Sequence, residues 1–244
     1  MTFLRCFQVE FRRSVDTRAS RVLLAVMVAL GVGAALLASQ GGARLSEFVG
    51  SASLPLPLLL PIVAVLATTG DWTHRSALTT YALVPHRQTV LGARVLAAIA
   101  LVLATAFAIT VLSVSAFLVL HWGDWTVFDG PALRVSIWSV FAFSLAAALS
   151  GVAMGSLLLN TPLAIVVTMV VPIAYDIAVT PRLPVVGEWF SSLGFSLWLT
   201  EPQWTWLSPT DELTGVGPAL TSLVVWVCLP LLLGAVRQVR REVR

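Results

Sequence analysis

Apolar residues along this chain run in six long blocks, at about 22–39, 48–69, 95–120, 132–159, 162–179 and 213–236. About 20 apolar residues in a helix, rising 1.5 Å each, cross a hydrocarbon layer of roughly 30 Å. The pattern therefore predicts an all-α polytopic membrane protein with six transmembrane helices in a single domain over 1–244. Gln40-Gly41-Gly42 ends the first block, and Pro55, Pro57 and Pro61 predict a kinked or late-starting second helix. Gly151 and Gly155 form a small-xxx-small pair that lets a neighbouring helix come close. Asn160-Thr161 reads as a tight turn, with Thr161 as N-cap and Pro162 at the first helical position.

Three stretches do not fit a span. Residues 1–21 are too charged to cross, but Phe3, Phe7, Phe11 and Val15 recur every four residues while the arginines fall mostly off that stripe. This predicts an amphipathic helix lying in the membrane interface. Acids at Glu10 and Asp16 and the length of the charged region make it an anchor rather than a cleaved leader. The gap 180–212 carries Pro181, Pro184, Pro202 and Pro209 and four tryptophans, and its apolar middle, Trp189 to Leu199, is too short to cross. It predicts an external loop with an interfacial or re-entrant segment in an aromatic belt.

The third stretch, 70–94, is a polar island between two spans. Asp71 sits where the second span ends, and an acid at the negative end of a helix needs a cation. Arg75, Arg87 and Arg94 are the candidates. Ser76 can cap a short helix over 77–84, stopped by Pro85, on which Leu78, Tyr81 and Ala82 share one apolar face. Such a face predicts a cover, and the chain has no soluble domain of its own to provide one.

Charge orients this plan. Only 11% of the residues are charged, against about 25% in soluble domains. All 15 basic residues are arginines. With six spans both termini share a side, and that side holds Arg5, Arg12, Arg13, Arg18, Arg21, the three island arginines, and Arg237, Arg240, Arg241 and Arg244. Arg44, Arg134 and Arg182 fall opposite. Twelve against three predicts cytoplasmic N- and C-termini and a cytoplasmic island. The net charge of +3 points to a membrane surface and not to nucleic acid.

Little else suggests chemistry. Cys6 and Cys228 suggest neither a disulfide framework nor a thiolate site, and His74, His86 and His121 have no metal-ligand spacing. No GxSxG or GxxxxGK[ST] is present, so neither serine hydrolysis nor nucleotide binding is expected from this chain. An intramembrane enzyme would need paired acids or a Ser–His set within its spans, and an ATPase-independent carrier would show more midplane ionisable groups or matched broken helices. Asp176, near the outer end of the fifth span, reads either as part of a translocation path or as an interfacial or paired structural acid. Pro172 is a kink or part of a gate.

The island resembles the segment after the second span in permease subunits of bacterial ABC-2 type exporters. There an acid and an aromatic precede a Gly-Thr pair, a short helix, a proline and basic residues. Here stand Asp71-Trp72, Arg75-Ser76, Leu78, Pro85, His86-Arg87 and Arg94, with aspartate for the usual glutamate and Arg-Ser for Gly-Thr. The N-terminal helix, the six spans, the turn after the fourth and the proline-rich gap extend the resemblance over nearly the whole chain. It implies a permease in the bacterial plasma membrane, paired with a second copy or a related permease and with two cytoplasmic ATPase subunits that bind the ATP and Mg. The island, with Tyr81 on its short helix, would be the coupling segment. Asn160 and Thr161 would form a smaller second contact. No cofactor is expected in this chain itself.

Overall fold

The computed structural model describes residues 3–40, 42, 44–73, 87–122, 128–200 and 215–240, with only the backbone at 71–73, 87 and 240. All the regular structure among them is helical: α1 (Phe3–Asp16), α2 (Arg18–Ser39), α3 (Leu45–Ser53), α4 (Leu56–Thr73), α5 (Arg87–Leu120), α6 (Gly130–Leu158), α7 (Thr161–Val179), α8 (Pro184–Phe190), α9 (Gly194–Thr200), α10 (Val216–Leu223), a π turn at Val224–Cys228, and α11 (Leu229–Arg240). Five helical segments are long and apolar enough to cross a membrane, and six if α3 and α4 count as one bent span. Several such helices in one chain support a multi-pass membrane protein.

The bends follow from proline. Between α3 and α4 the chain turns by 41°. Pro55 and Pro57 bring no N–H to this junction, so a straight helix cannot be bonded through it. Leu54 N–H instead bonds back to Ser51 O at 3.2 Å in a tight turn. The last span widens into the π turn just before Pro230. Pro230 has no proton for the carbonyl of Trp226, and an extra residue in the turn takes up that mismatch. Pro172, by contrast, lies inside a continuous α7.

In lipid the association of helices rests on close packing, so small residues decide which helices touch. The expected pair does this. A Cβ on Gly151 would strike the carbonyl oxygen of Pro61, and one on Gly155 the hydroxyl of Thr68. Helix α6 thus lies backbone-to-backbone along α4. Around that seam Leu56, Leu60, Val63, Val102 and Val152 are fully buried. Helices α2 and α7 stay peripheral, with Val32, Leu37, Val170 and Ile177 all more than half exposed.

Two helices begin earlier than the apolar blocks suggest. Helix α2 starts at Arg18, capped by Thr17, whose hydroxyl accepts from Ser20 N–H at 3.3 Å. Helix α5 starts at Arg87, eight residues before the block at 95. Its 34 residues rise roughly 51 Å, well beyond a 30 Å hydrocarbon layer. The cap at the α6–α7 turn also differs by one residue. Asn160, in extended conformation, is the N-cap and accepts from Leu163 N–H at 3.2 Å, while Thr161 opens the helix. Leu159 makes the reversal in left-handed conformation at φ 55°. With that residue absorbing the turn, Asn160 stands at the N-cap and its side chain reaches the orphan amide.

Candidate functional site

The segment singled out in the sequence begins where α4 ends, and the described residues around that end form a polar cluster. Thr69, one turn before the end of α4, meets Thr161 at the start of α7, their hydroxyls 2.7 Å apart. Gly155 and Thr68 are in contact beside them. Gly234 of α11 approaches the backbone of Ser156 and Leu157 so closely that a Cβ there would lie 2.6 Å from a backbone carbon. Arg237 then donates to Leu157 O at 2.7 Å and Gln238 to Ser156 O at 2.9 Å. These donors satisfy carbonyls that the end of α6 leaves unpaired, and the cation suits the negative helix end.

The N-terminal helix docks at the same end. The aromatic stripe is only part of its buried side. Phe7 and Phe11 stack at 6.1 Å, with Phe11 and Val15 against the main core, while Phe3 is 41% exposed. The fully covered positions are Cys6, Glu10 and Ser14, which face the first turns of α5. There Cys6 packs on Val90 and Ala93. Glu10 meets Arg94 in a buried pair: Nη2 lies 3.4 Å from Oε1 and Nε 3.5 Å from Oε2. Both side chains are less than a tenth exposed. The sequence offers Arg94 as one of three candidate partners for Asp71, beside Arg75 and Arg87, and gives Glu10 no role beyond interrupting a basic segment. The signal was present, since Glu10 stands four residues from Cys6 and from Ser14, off the arginine-bearing side.

Of the residues expected to contact an ATPase, Asp71 and Trp72 lie in the last turn of α4 and Arg87 opens α5, in each case with only the backbone described. Arg75, Ser76, Leu78, Tyr81 and Pro85, and the short helix proposed over them, lie outside the described residues. Arg94 is buried on α1. Asn160 and Thr161 are brought to the end of α4, next to the island.

Asp176 lies toward the other end. That end also holds Ser46, whose hydroxyl and N–H bond Asp129, and the short helices α8 and α9, fastened to the last span by Trp226 Nε1 donating to Phe190 O at 2.9 Å. The apolar middle of the 180–212 gap is thus two short helices against the bundle. Asp176 Oδ2 accepts from Ser192 Oγ at 2.7 Å, whereas Oδ1 is buried without a hydrogen-bond partner among the described residues. It lines a cavity of about 410 Å³ that runs inward past Pro172, Thr168 and Ser150 to Pro61. Cys6 and Cys228 are both free thiols. No group of three His, Cys, Asp or Glu side chains comes together among the described residues.

No family model, curated protein or solved structure matches this chain.

Proposed function

We propose that this chain is the membrane-spanning permease subunit of an ABC-2 type exporter in a bacterial plasma membrane. Its termini and the 70–94 segment face the cytoplasm. A separate ATPase pair docks on that segment, and a second permease copy or a related permease completes the pathway. The observation that carries this reading is the hydrogen bond between Thr69 and Thr161. It joins the helix that leads into the coupling segment to the turn picked out as the second ATPase contact, so one partner can push on both. The N-terminal helix and the end of α11 lie at that same end, where the arginine excess places the cytoplasm. Movement of the island reaches α7 through Thr161 and α1 through Arg94 and Glu10.

Substitution at the docking face tests this. Leu78→Ala with Tyr81→Ala removes the apolar anchors, and buried anchors commonly cost about 2 kcal/mol or more when truncated. The double variant is expected to release the ATPase on purification, or to leave it hydrolysing ATP without transport. Asp71→Ala removes an orienting charge instead of a binding surface, so the complex should persist with weakened coupling. Full ATPase retention and coupled transport in the double variant would rule out the island as a docking segment.

Orientation is tested separately by membrane-impermeant thiol labelling of intact cells. Cys6 is buried and makes a poor reporter. With both native cysteines replaced, Leu4→Cys and Val185→Cys place reporters on sites 70% and 71% exposed. Val185→Cys should label and Leu4→Cys should label only after lysis. The reverse pattern would overturn the assignment of sides.

A further inference from the structure

The cavity beside Asp176 has a chemistry that identifies its guest. Its walls are apolar and aromatic, with Phe143, Phe195 and Trp226 among them. Asp176 is the one ionisable group among the described lining residues. Three of the hydroxyls around it already donate to backbone carbonyls. Thr168 donates to Ala164 O at 2.7 Å, Ser150 to Ala147 O at 3.0 Å and Ser196 to Leu193 O at 2.9 Å, while Ser222 Oγ accepts from Phe195 N–H. Arg182, which follows Asp176 in the chain, sends its guanidinium to Ala178 O at 2.6 Å and is not among the lining residues. The ionisable group of the cavity is therefore Asp176, whose Oδ1 is buried without a hydrogen-bond partner among the described residues.

A buried acceptor without a donor is costly, and a charged one more so. A guest that brings a cation and an N–H removes that cost, and aromatic faces add attraction for the cation. Guests that are anionic are repelled by the carboxylate, and neutral ones without a donor leave it unpaired. The volume lies within the range of small-molecule sites, about 300–1,000 Å³. We propose that this cavity binds a protonated amine with an apolar, aromatic body, its N–H donating to Asp176 Oδ1 and its body lying along Phe143 and Trp226. Ser192 holds the other carboxylate oxygen and so fixes the direction of the first. The guest's role as transported substrate rests on the export reading, whereas its binding requires neither ATP nor an ATPase.

The test is equilibrium dialysis of radiolabelled N,N-dimethyl-3-phenylpropylamine against nanodiscs containing the whole chain, with empty nanodiscs subtracted. Saturable binding near one equivalent is expected, and 4-phenylbutyrate should not compete. Asp176→Asn keeps the shape and the acceptor for Ser192. It should weaken binding at least about tenfold, the factor a hydrogen bond to a charged group supplies. Ala146→Phe, which fills the cavity with Asp176 intact, should abolish binding, and both variants are checked for a monodisperse, wild-type thermal transition. No saturable binding to the wild type, or unchanged affinity in correctly folded Asp176→Asn, overturns the proposal. Amine binding by a chain that engages no ATPase would contradict the export reading alone. A coupled ATPase with no amine binding would contradict this proposal alone.

Discussion

Glu10→Ala is expected to lower the stability of the purified protein by about 3–5 kcal/mol, the usual loss when one member of a buried ion pair is removed. The reason is the guanidinium left behind. Arg94 is 3% exposed and faces both oxygens of Glu10. Taking the carboxylate away removes the counter-charge that Glu10 brings to Arg94 in a nearly dry contact between α1 and α5. Replacing both residues by methionine should recover part of the loss, because the buried cation is removed with its counter-charge while volume is kept. Thermal unfolding in detergent, followed for wild type, single and double variants, measures this. A single variant as stable as the wild type would mean that the charges are solvated and that α1 does not dock through them.

Gly151→Val is expected to cost about 3 kcal/mol or more, at the upper end of overpacking effects. The Cβ it adds would meet the carbonyl oxygen of Pro61 and the side chain of Ala64. A backbone oxygen cannot rotate aside, so α4 and α6 must separate along the seam that holds the core. Gly155→Val meets the hydroxyl of Thr68 first, a side chain that can turn, and should be milder. Gly33→Val in α2 has open space around it and should be close to neutral. The order Gly151, Gly155, Gly33 in loss of monodisperse protein on gel filtration is the result to check. Equal losses at Gly151 and Gly33 would contradict this packing.

The spans and their small-residue seam were legible because both depend on local composition: long apolar runs make helices, and Gly151 and Gly155 are four residues apart on one face. Boundaries were less so. Helix α5 continues to Arg87 past Arg94, since an arginine covered by another helix need not end an apolar span. The bent α3–α4 pair was readable from three prolines, whereas the π turn before Pro230 was not, because proline alone predicts a break and not how the chain absorbs it. Contacts between distant elements were least visible. Glu10 with Arg94, and Thr69 with Thr161, join residues more than 80 positions apart, and no spacing rule ties them. Asp176 stood out in the sequence as an acid within an apolar block. The fold adds that one of its oxygens accepts from Ser192 and that the residue lines a cavity, neither of which the sequence could show.

The central claim is that this chain works with a separate ATPase. The direct measurement is to purify the tagged chain from its native membranes in mild detergent and to assay the bound fraction for ATP hydrolysis. The account predicts that a protein bearing GxxxxGK[ST] is retained. Its hydrolysis should change when the chain is added back in lipid and should vanish when the lysine of that motif is replaced. Leu78→Ala with Tyr81→Ala should lose this partner while remaining folded. A well-folded wild-type chain that retains no such ATPase, and whose addition leaves ATP hydrolysis unchanged, would contradict the account.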